Sequence, residues 1–182
     1  MGADADALVI ANDASIPTIA AIDAMAGPIA DQAVVLRASA DNEVLAGNSV
    51  SCNTNEPDYF HTDNRYYRTY PLAAANITTE LRITSVDIGI QLAASLAGTQ
   101  PITLTLHTLD GNLRLANLTE LATLDIQVPD QTLSVLNVPI EATVPADSIL
   151  VIEVFTPDGQ PQGNRFVVGS NRSAEASPSF IQ

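Results

Sequence analysis

Apolar and polar residues alternate along most of the chain after residue 32, with the period of two that is typical of β-strands. The alternation is clearest in ITLTLHT (102–108). SILVIEVFT (148–156) is largely apolar on both faces, so we expect it to be a central strand. Further strands are predicted at residues 33–38, 43–50, 65–70, 81–92, 113–118, 121–128, 132–140 and 165–171. Eight to ten such strands predict an all-β fold, an antiparallel β-sandwich of two sheets with jelly-roll or Greek-key connections.

Two local features refine this pattern. Within residues 81–92 the apolar side chains occupy odd positions up to Ile83 and even positions from Val86 onward. This change of phase predicts a β-bulge at Thr84–Ser85. Asp110–Gly111 is the kind of dipeptide that closes a tight hairpin, so we expect a turn there.

Residues 1–32 have a different pattern and are predicted to be an N-terminal extension of a sandwich domain at 33–182. Ala7–Ala11 is a short apolar run that predicts a strand, whereas 15–26 fit either a short helix capped by Ser15 or a strand. We expect so apolar a segment to dock, either on its own domain or as a strand donated to a neighbouring subunit. The predicted subunit-contact residues are Leu8, Val9, Ile10, Ile16, Ile19 and Ile22.

The charge of the chain excludes several kinds of partner. There are 21 acidic residues against seven basic ones, all of them arginine, which gives a net charge of −14. A surface of this sign repels nucleic acids and anionic lipids. No apolar run approaches the roughly 20 residues that span a bilayer, so no membrane insertion is expected. The acidic start of the chain lacks the basic region of a secretory signal.

The stretch 52–70 concentrates the unusual side chains of the chain. It contains all four tyrosines, the only cysteine and one of the two histidines. One hypothesis is a stacking surface for a surface glycan, whose predicted ligand-binding residues are Tyr59, Arg65, Tyr66 and Arg68. The alternative is that most of these rings pack inside the sandwich. Cys52 itself is expected to be a small buried side chain, or else a thiol that pairs with another chain.

The same stretch contains candidate ligands for Ca²⁺, namely Asp58, Asp63 and Asn64. Their spacing matches no EF-hand, and aspartate and asparagine are also ordinary turn residues. The sequence therefore leaves open either a Ca²⁺ site or a loop that hydrogen-bonds itself. No other cofactor is expected.

No combination of residues points to catalysis, so the chain is not expected to be an enzyme. His107 occupies an outward position on a regular strand, where we expect it to be solvated. One cysteine and two distant histidines are a poor basis for a nucleophilic site, and there is no GxSxG motif or glycine-rich phosphate loop.

Seven blocks follow one another in a fixed order: SCN (51–53), HTDNRYYR (61–68), ITSVDIGI (83–90), LHTLDG (106–111), VPADSILVIEVFTPDG (144–159), FVVGSN (166–171) and SPSFI (177–181). Over about residues 45–181 they resemble a β-sandwich module that recurs in secreted bacterial proteins, often beside proteases or adhesive regions. This resemblance implies an extracellular, non-catalytic module. In such modules a cysteine near the start is often matched by one after the last block, which this chain lacks.

These observations lead to one functional expectation and one alternative. The first is a secreted structural or adhesive subunit that binds other copies of itself through the N-terminal segment, in a filament or surface layer. The alternative is a carbohydrate-binding or substrate-targeting accessory module, with Ca²⁺ as its optional cofactor.

Overall fold

The computed structural model of the chain describes residues 19–26, 33–40, 42–54, 57–172 and 179–182. These ranges contain ten β-strands, the upper end of the predicted number: β1 (Ile19–Ala26), β2 (Ala33–Leu36), β3 (Asn64–Pro71), β4 (Leu81–Ala94), β5 (Thr99–Leu109), β6 (Leu118–Pro129), β7 (Gln131–Val144), β8 (Ile149–Thr156), β9 (Arg165–Val168) and β10 (Ser179–Ile181). Short 3₁₀ helices span Leu72–Ala75, Leu115–Asn117 and Gln160–Gln162. No helix in the described part is long and apolar enough to cross a membrane.

The strands form two antiparallel sheets, as predicted. In the first sheet the order is β2-β1-β4-β7, and β9 also pairs with β4. In the second sheet the order is β10-β3-β8-β5-β6. From β3 onward the chain changes sheet at every connection except the one between β5 and β6, so most successive strands lie in different sheets.

The core lies between the sheets and is built almost entirely from aliphatic side chains, as the composition indicates. Its fully buried members include Ile88 and Ile90 from β4, Leu104 from β5, and Ile152 and Val154 from β8. Each such side chain stabilises the fold by about 1.5–3 kcal/mol when it leaves water. β8 lies between β3 and β5, which confirms its prediction as a central strand.

The bulge predicted in β4 is confirmed. The register between β4 and β7 shifts between Ile83 and Ser85, and the register between β4 and β1 shifts at the same place. Ile83 and Val86 are both fully buried. The extra residue lets positions of opposite parity point into the same core.

Two predicted strands are absent from the described chain. Residues 43–50 make only an isolated bridge, between Leu45 and Ser170, and Gly47 has a φ of +86° that interrupts an extended strand. Residues 113–118 are also not a strand, because the β5–β6 connection runs from 110 to 117 and ends in a 3₁₀ helix. The amide of Asp110 donates to the Asn117 carbonyl at 3.0 Å, so a wide loop closes this hairpin instead of the tight Asp110–Gly111 turn.

Strand β1, in the segment predicted to be an extension, belongs to the first sheet. It forms a strand and not the alternative helix, and it pairs with β2 on one side and with β4 on the other. Ile19 lies opposite Ile88. β7 pairs with β4 over nearly its whole length, so β9, which pairs with Ile90–Ala94, shares the other edge of β4 with β1. The two strands therefore lie end to end along this edge.

Candidate functional site

The four predicted ligand-binding residues do not share a surface. Tyr66 and Arg68 lie on the core-facing side of β3 and are buried. Tyr59 lies in the preceding loop, with a φ of +50° and 48% of its surface exposed. Arg65 lies on the opposite face of β3 from Tyr66 and is partly exposed. The predicted four-residue glycan surface is thus not formed, and burial of the rings of Tyr66, Tyr67 and Tyr70 matches the alternative interpretation.

Arg65 instead belongs to a polar cluster on the face of the second sheet that points away from the core. The strand register places Tyr67 and Thr105 directly beside Glu153 of β8. Arg65 and His107 are diagonal neighbours of the same carboxylate. We call Glu153 together with Arg65, Tyr67 and His107 the Glu153 cluster.

Both carboxylate oxygens of Glu153 are engaged. Oε1 accepts a hydrogen bond from the Arg65 guanidinium, and Oε2 lies 2.9 Å from His107 Nε2. The Arg65 guanidinium also lies over the Phe155 ring, 4.2 Å from its centroid, where a cation is attracted to the ring face. Glu153 and His107 are buried, so the polar contacts replace water that both side chains lose on folding.

The pKa values of this cluster follow from burial and charge. Burial alone would raise the pKa of Glu153, but the hydrogen bonds from His107 and Arg65 outweigh it, and the pKa is lowered. For Tyr67, burial and the nearby negative charge of Glu153 raise the pKa to about 12. The cluster therefore holds an ionised carboxylate beside a neutral phenol at neutral pH.

The expectation of a solvated His107 is wrong, because the side chain is buried against Glu153. The sequence does contain a signal for this pair. Glu153 is the only charged residue in ILVIEVFT, whose other residues are apolar except for the final threonine, and a buried carboxylate requires a hydrogen-bonded partner. The alternation of apolar and polar residues does not show which residue on the neighbouring strand is that partner.

The three candidate Ca²⁺ ligands have different environments. Asn64 is buried, and its side-chain oxygen accepts from the Cys52 amide at 2.8 Å, while its nitrogen donates to the Thr62 carbonyl at 2.9 Å. Asp58 and Asp63 are exposed. The described residues contain no group of three or more His, Cys, Asp or Glu side chains placed to hold a metal ion. Asn64 thus closes the loop by hydrogen-bonding its backbone, which is the role expected of a turn residue.

His61 joins this loop to the one that follows β8. Its ring nitrogens lie 3.0 Å from the carbonyl oxygens of Asn164 and Pro157, and the side chain is buried. Burial lowers the pKa of His61, and the two carbonyls only partly offset this effect. Gly159 packs so closely on the ring that a Cβ there would lie 2.4 Å from His61 Cε1. The ring therefore holds the two loops together.

Cys52 begins the aromatic stretch, and its expected burial is wrong: the thiol is free and exposed. Its backbone is nevertheless fixed, since its carbonyl accepts from the Thr62 amide at 2.9 Å.

Of the predicted subunit-contact residues, Ile19 and Ile22 lie in β1, where their backbones pair with β4 and β2 of the same chain. Leu8, Val9, Ile10 and Ile16 fall outside the described residues.

One flank of the sandwich is formed by the outermost strands β6 and β7, which follow each other in the chain. Each pairs with one strand only within the described ranges, β6 with β5 and β7 with β4. Several apolar residues on this flank are only partly buried, or exposed. They are Leu121, Ala122, Leu124 and Ile126 on β6 and Leu133, Val135, Leu136 and Ala142 on β7.

Comparison with protein-family models, with curated proteins and with solved structures finds no match to this chain.

Proposed function

We propose that this chain is a non-catalytic structural subunit that binds other copies of itself through its N-terminal segment, in an extracellular filament or surface layer. The observation that supports the proposal most directly is the end-to-end arrangement of β1 and β9 on β4. The extracellular location rests on the resemblance to a module of secreted bacterial proteins.

The arrangement of β1 and β9 limits where the residues before Ile19 can pair. A chain entering β1 cannot continue along the same edge of β4, because the next stretch of that edge, Ile90–Ala94, already pairs with β9. Transfer of the apolar run Ala7–Ala11 out of water lowers the free energy, and an extended segment of this kind adds readily to an open sheet edge. A neighbouring copy offers such an edge at every subunit of a growing assembly.

The experiment uses point substitutions in the full chain, since deleting residues 1–32 would also remove β1 from the first sheet. Leu8→Asp with Ile10→Asp places two charges in the apolar run. Ala3→Asp with Asn12→Asp adds the same two charges just outside it and is the matched control. Sedimentation velocity over a range of concentrations reports the size of the assembly.

We expect the unmodified chain and the control to assemble as concentration rises, and the Leu8→Asp/Ile10→Asp variant to remain a monomer. A monomeric unmodified chain at every concentration would disprove self-assembly. Assembly of the Leu8→Asp/Ile10→Asp variant to the same extent as the control would disprove the role of the N-terminal segment.

The alternative of a carbohydrate-binding module has less support. Of the four tyrosines only Tyr59 is exposed, so a glycan surface would rest on Tyr59 and the partly exposed Arg65.

A further inference from the structure

Within the described part of the chain no further strand pairs with the outer side of β6 or β7, so the β6–β7 flank provides a long open edge at the place where both sheets end. β6 has 12 residues and β7 has 14, and Asp130 alone connects them. At the opposite flank the outermost strands of the described residues are β2, β9 and β10, with only four, four and three residues. Unpaired backbone groups on a long edge strand are a template for an additional strand.

Core-side apolar atoms are incompletely covered along this flank. Leu124 pairs with Leu104, which points into the core, yet 38% of Leu124 remains exposed. Its neighbours on the same side of β6, Ala122 and Ile126, are partly buried, as is Leu136 on β7. We call the strip formed by these four side chains, Ala122, Leu124, Ile126 and Leu136, the seam.

The two edges differ in how well they can accept a strand. β7 contains Pro139, which has no amide hydrogen to donate, and Leu133, whose φ of +45° distorts the extended backbone. β6 has no proline between Leu118 and Val128, and beyond the register shift at Leu121 its pairing with β5 is regular, so its amides and carbonyls can form a continuous ladder from Ala122 to Val128. The regular acceptor edge is therefore β6.

We propose that the β6 edge and the seam of one copy bind the apolar run Ala7–Ala11 of a second copy, added as an extra strand. This inference rests on the proposed function and identifies the acceptor surface for it. Eighteen residues precede Ile19, and an extended chain of that length spans roughly 60 Å, enough to reach a neighbouring molecule. Side chains of a strand alternate, so Leu8 and Ile10 enter the seam together beside Leu124.

The charges of the two surfaces predict a characteristic salt dependence. Residues 118–144 contain no basic side chain and four acidic ones, Glu120, Asp125, Asp130 and Glu141. Residues 1–18 likewise contain no Lys or Arg and three acidic ones, Asp4, Asp6 and Asp13. Like charges repel, and salt screens them over a Debye length of about 10 Å at 0.1 M. Association through these surfaces therefore strengthens as salt is added, whereas a basic partner would bind less tightly.

The first test places a charge in the seam of the full chain. Leu124→Asp is compared with Leu96→Asp, which lies in the β4–β5 turn, where Leu96 is 91% exposed. Circular dichroism checks that both variants fold, and sedimentation velocity follows their assembly at low and high salt. We expect Leu124→Asp to remain monomeric and Leu96→Asp to assemble like the unmodified chain.

The second test stays informative if Leu124→Asp does not fold. In a Cys52→Ser background, copies carrying Ile10→Cys are mixed with copies carrying Leu124→Cys, and disulfide-linked heterodimers are quantified after mild oxidation. Mixing with Leu96→Cys is the matched control. Because docking raises the effective concentration of the two thiols, we expect at least about tenfold more heterodimer with Leu124→Cys than with Leu96→Cys.

The possible failures separate the two proposals. Equal crosslinking to both positions, or normal assembly of a folded Leu124→Asp variant, would overturn the acceptor surface and leave self-assembly intact. Assembly that weakens with added salt would also overturn this pairing of acidic surfaces. If the unmodified chain never assembles, the proposed function fails, and the acceptor surface fails with it.

Discussion

The Glu153 cluster makes a quantitative prediction for the substitution Glu153→Gln. The side chain keeps its shape but loses its charge and one of its two acceptor oxygens, so one of the hydrogen bonds, to His107 or Arg65, loses its acceptor and the other becomes an ordinary one. A hydrogen bond to a charged group contributes about 1.5–3 kcal/mol and a neutral one about 0.5–1.5 kcal/mol. The contribution of the buried His107 contact to the free energy of unfolding should fall by about 1 kcal/mol or more. The contribution of the Arg65 contact should fall by less, because 41% of the arginine side chain is exposed to screening water. The free energy of unfolding should fall by about 2 kcal/mol.

The matched control is Glu141→Gln. Glu141 accepts a hydrogen bond from Arg82 at 3.1 Å, but the two side chains are 73% and 56% exposed. A surface pair of this kind contributes about 0–1 kcal/mol. Urea unfolding gives both values, and with a slope of about 2 kcal/mol per molar the midpoint for Glu153→Gln should fall by about 1 M. Equal losses for the two variants would refute the assignment of stability to the buried cluster.

The pH dependence of the same variant checks the sign of the effect. The pKa of Glu153 is lowered in the folded chain, so its contribution is present above the ordinary glutamate pKa of about 4.3 and is lost as the pH falls through the folded value. The stability difference between the unmodified chain and Glu153→Gln should therefore be largest near neutral pH and shrink in acid. A difference that stays constant down to acid pH would show that the carboxylate charge is not responsible.

Three further predictions concern the loops. Gly159→Ala should lower the free energy of unfolding by about 2 kcal/mol, because the new Cβ meets the His61 ring. Gly47→Ala should lower it by roughly 1 kcal/mol, because its Cβ meets only open space and the cost comes from the φ of +86°. Equal urea midpoints for the two variants would contradict the role of the His61 contact. Burial lowers the pKa of His61, so below about pH 6.5 the unfolded chain binds a proton that the folded chain resists, and the unmodified chain should lose stability. His61→Gln should lose less stability over the same range. Parallel pH profiles of the urea midpoint for the two proteins would exclude His61 as the source of the pH dependence. The exposed Cys52 should react fully with a thiol reagent in the native protein, and reaction only after adding urea would contradict its exposure.

The sequence alone predicted most of the sandwich, because alternation of apolar and polar residues specifies which face of a strand enters the core. It identified β8 as a central strand and the phase change that marks the bulge in β4. It failed at residues 43–50 and 113–118, where apolar content is sufficient for a strand but the described residues form no ladder beyond the isolated bridge between Leu45 and Ser170. Pairing is a tertiary property, and strand propensity does not contain it.

The candidate site was less predictable for a related reason. The sequence singled out residues 52–70 by their concentration of tyrosine and arginine, and only the register of β3, β8 and β5 shows which of them meet. Two residues of strand shift would separate Glu153 from His107 without changing the apolar pattern. The sequence by itself determined that there would be two sheets with an aliphatic core. The tertiary structure decided which polar groups share a buried face, where β1 ends against β9, and which edge stays open, since each depends on how distant strands are aligned.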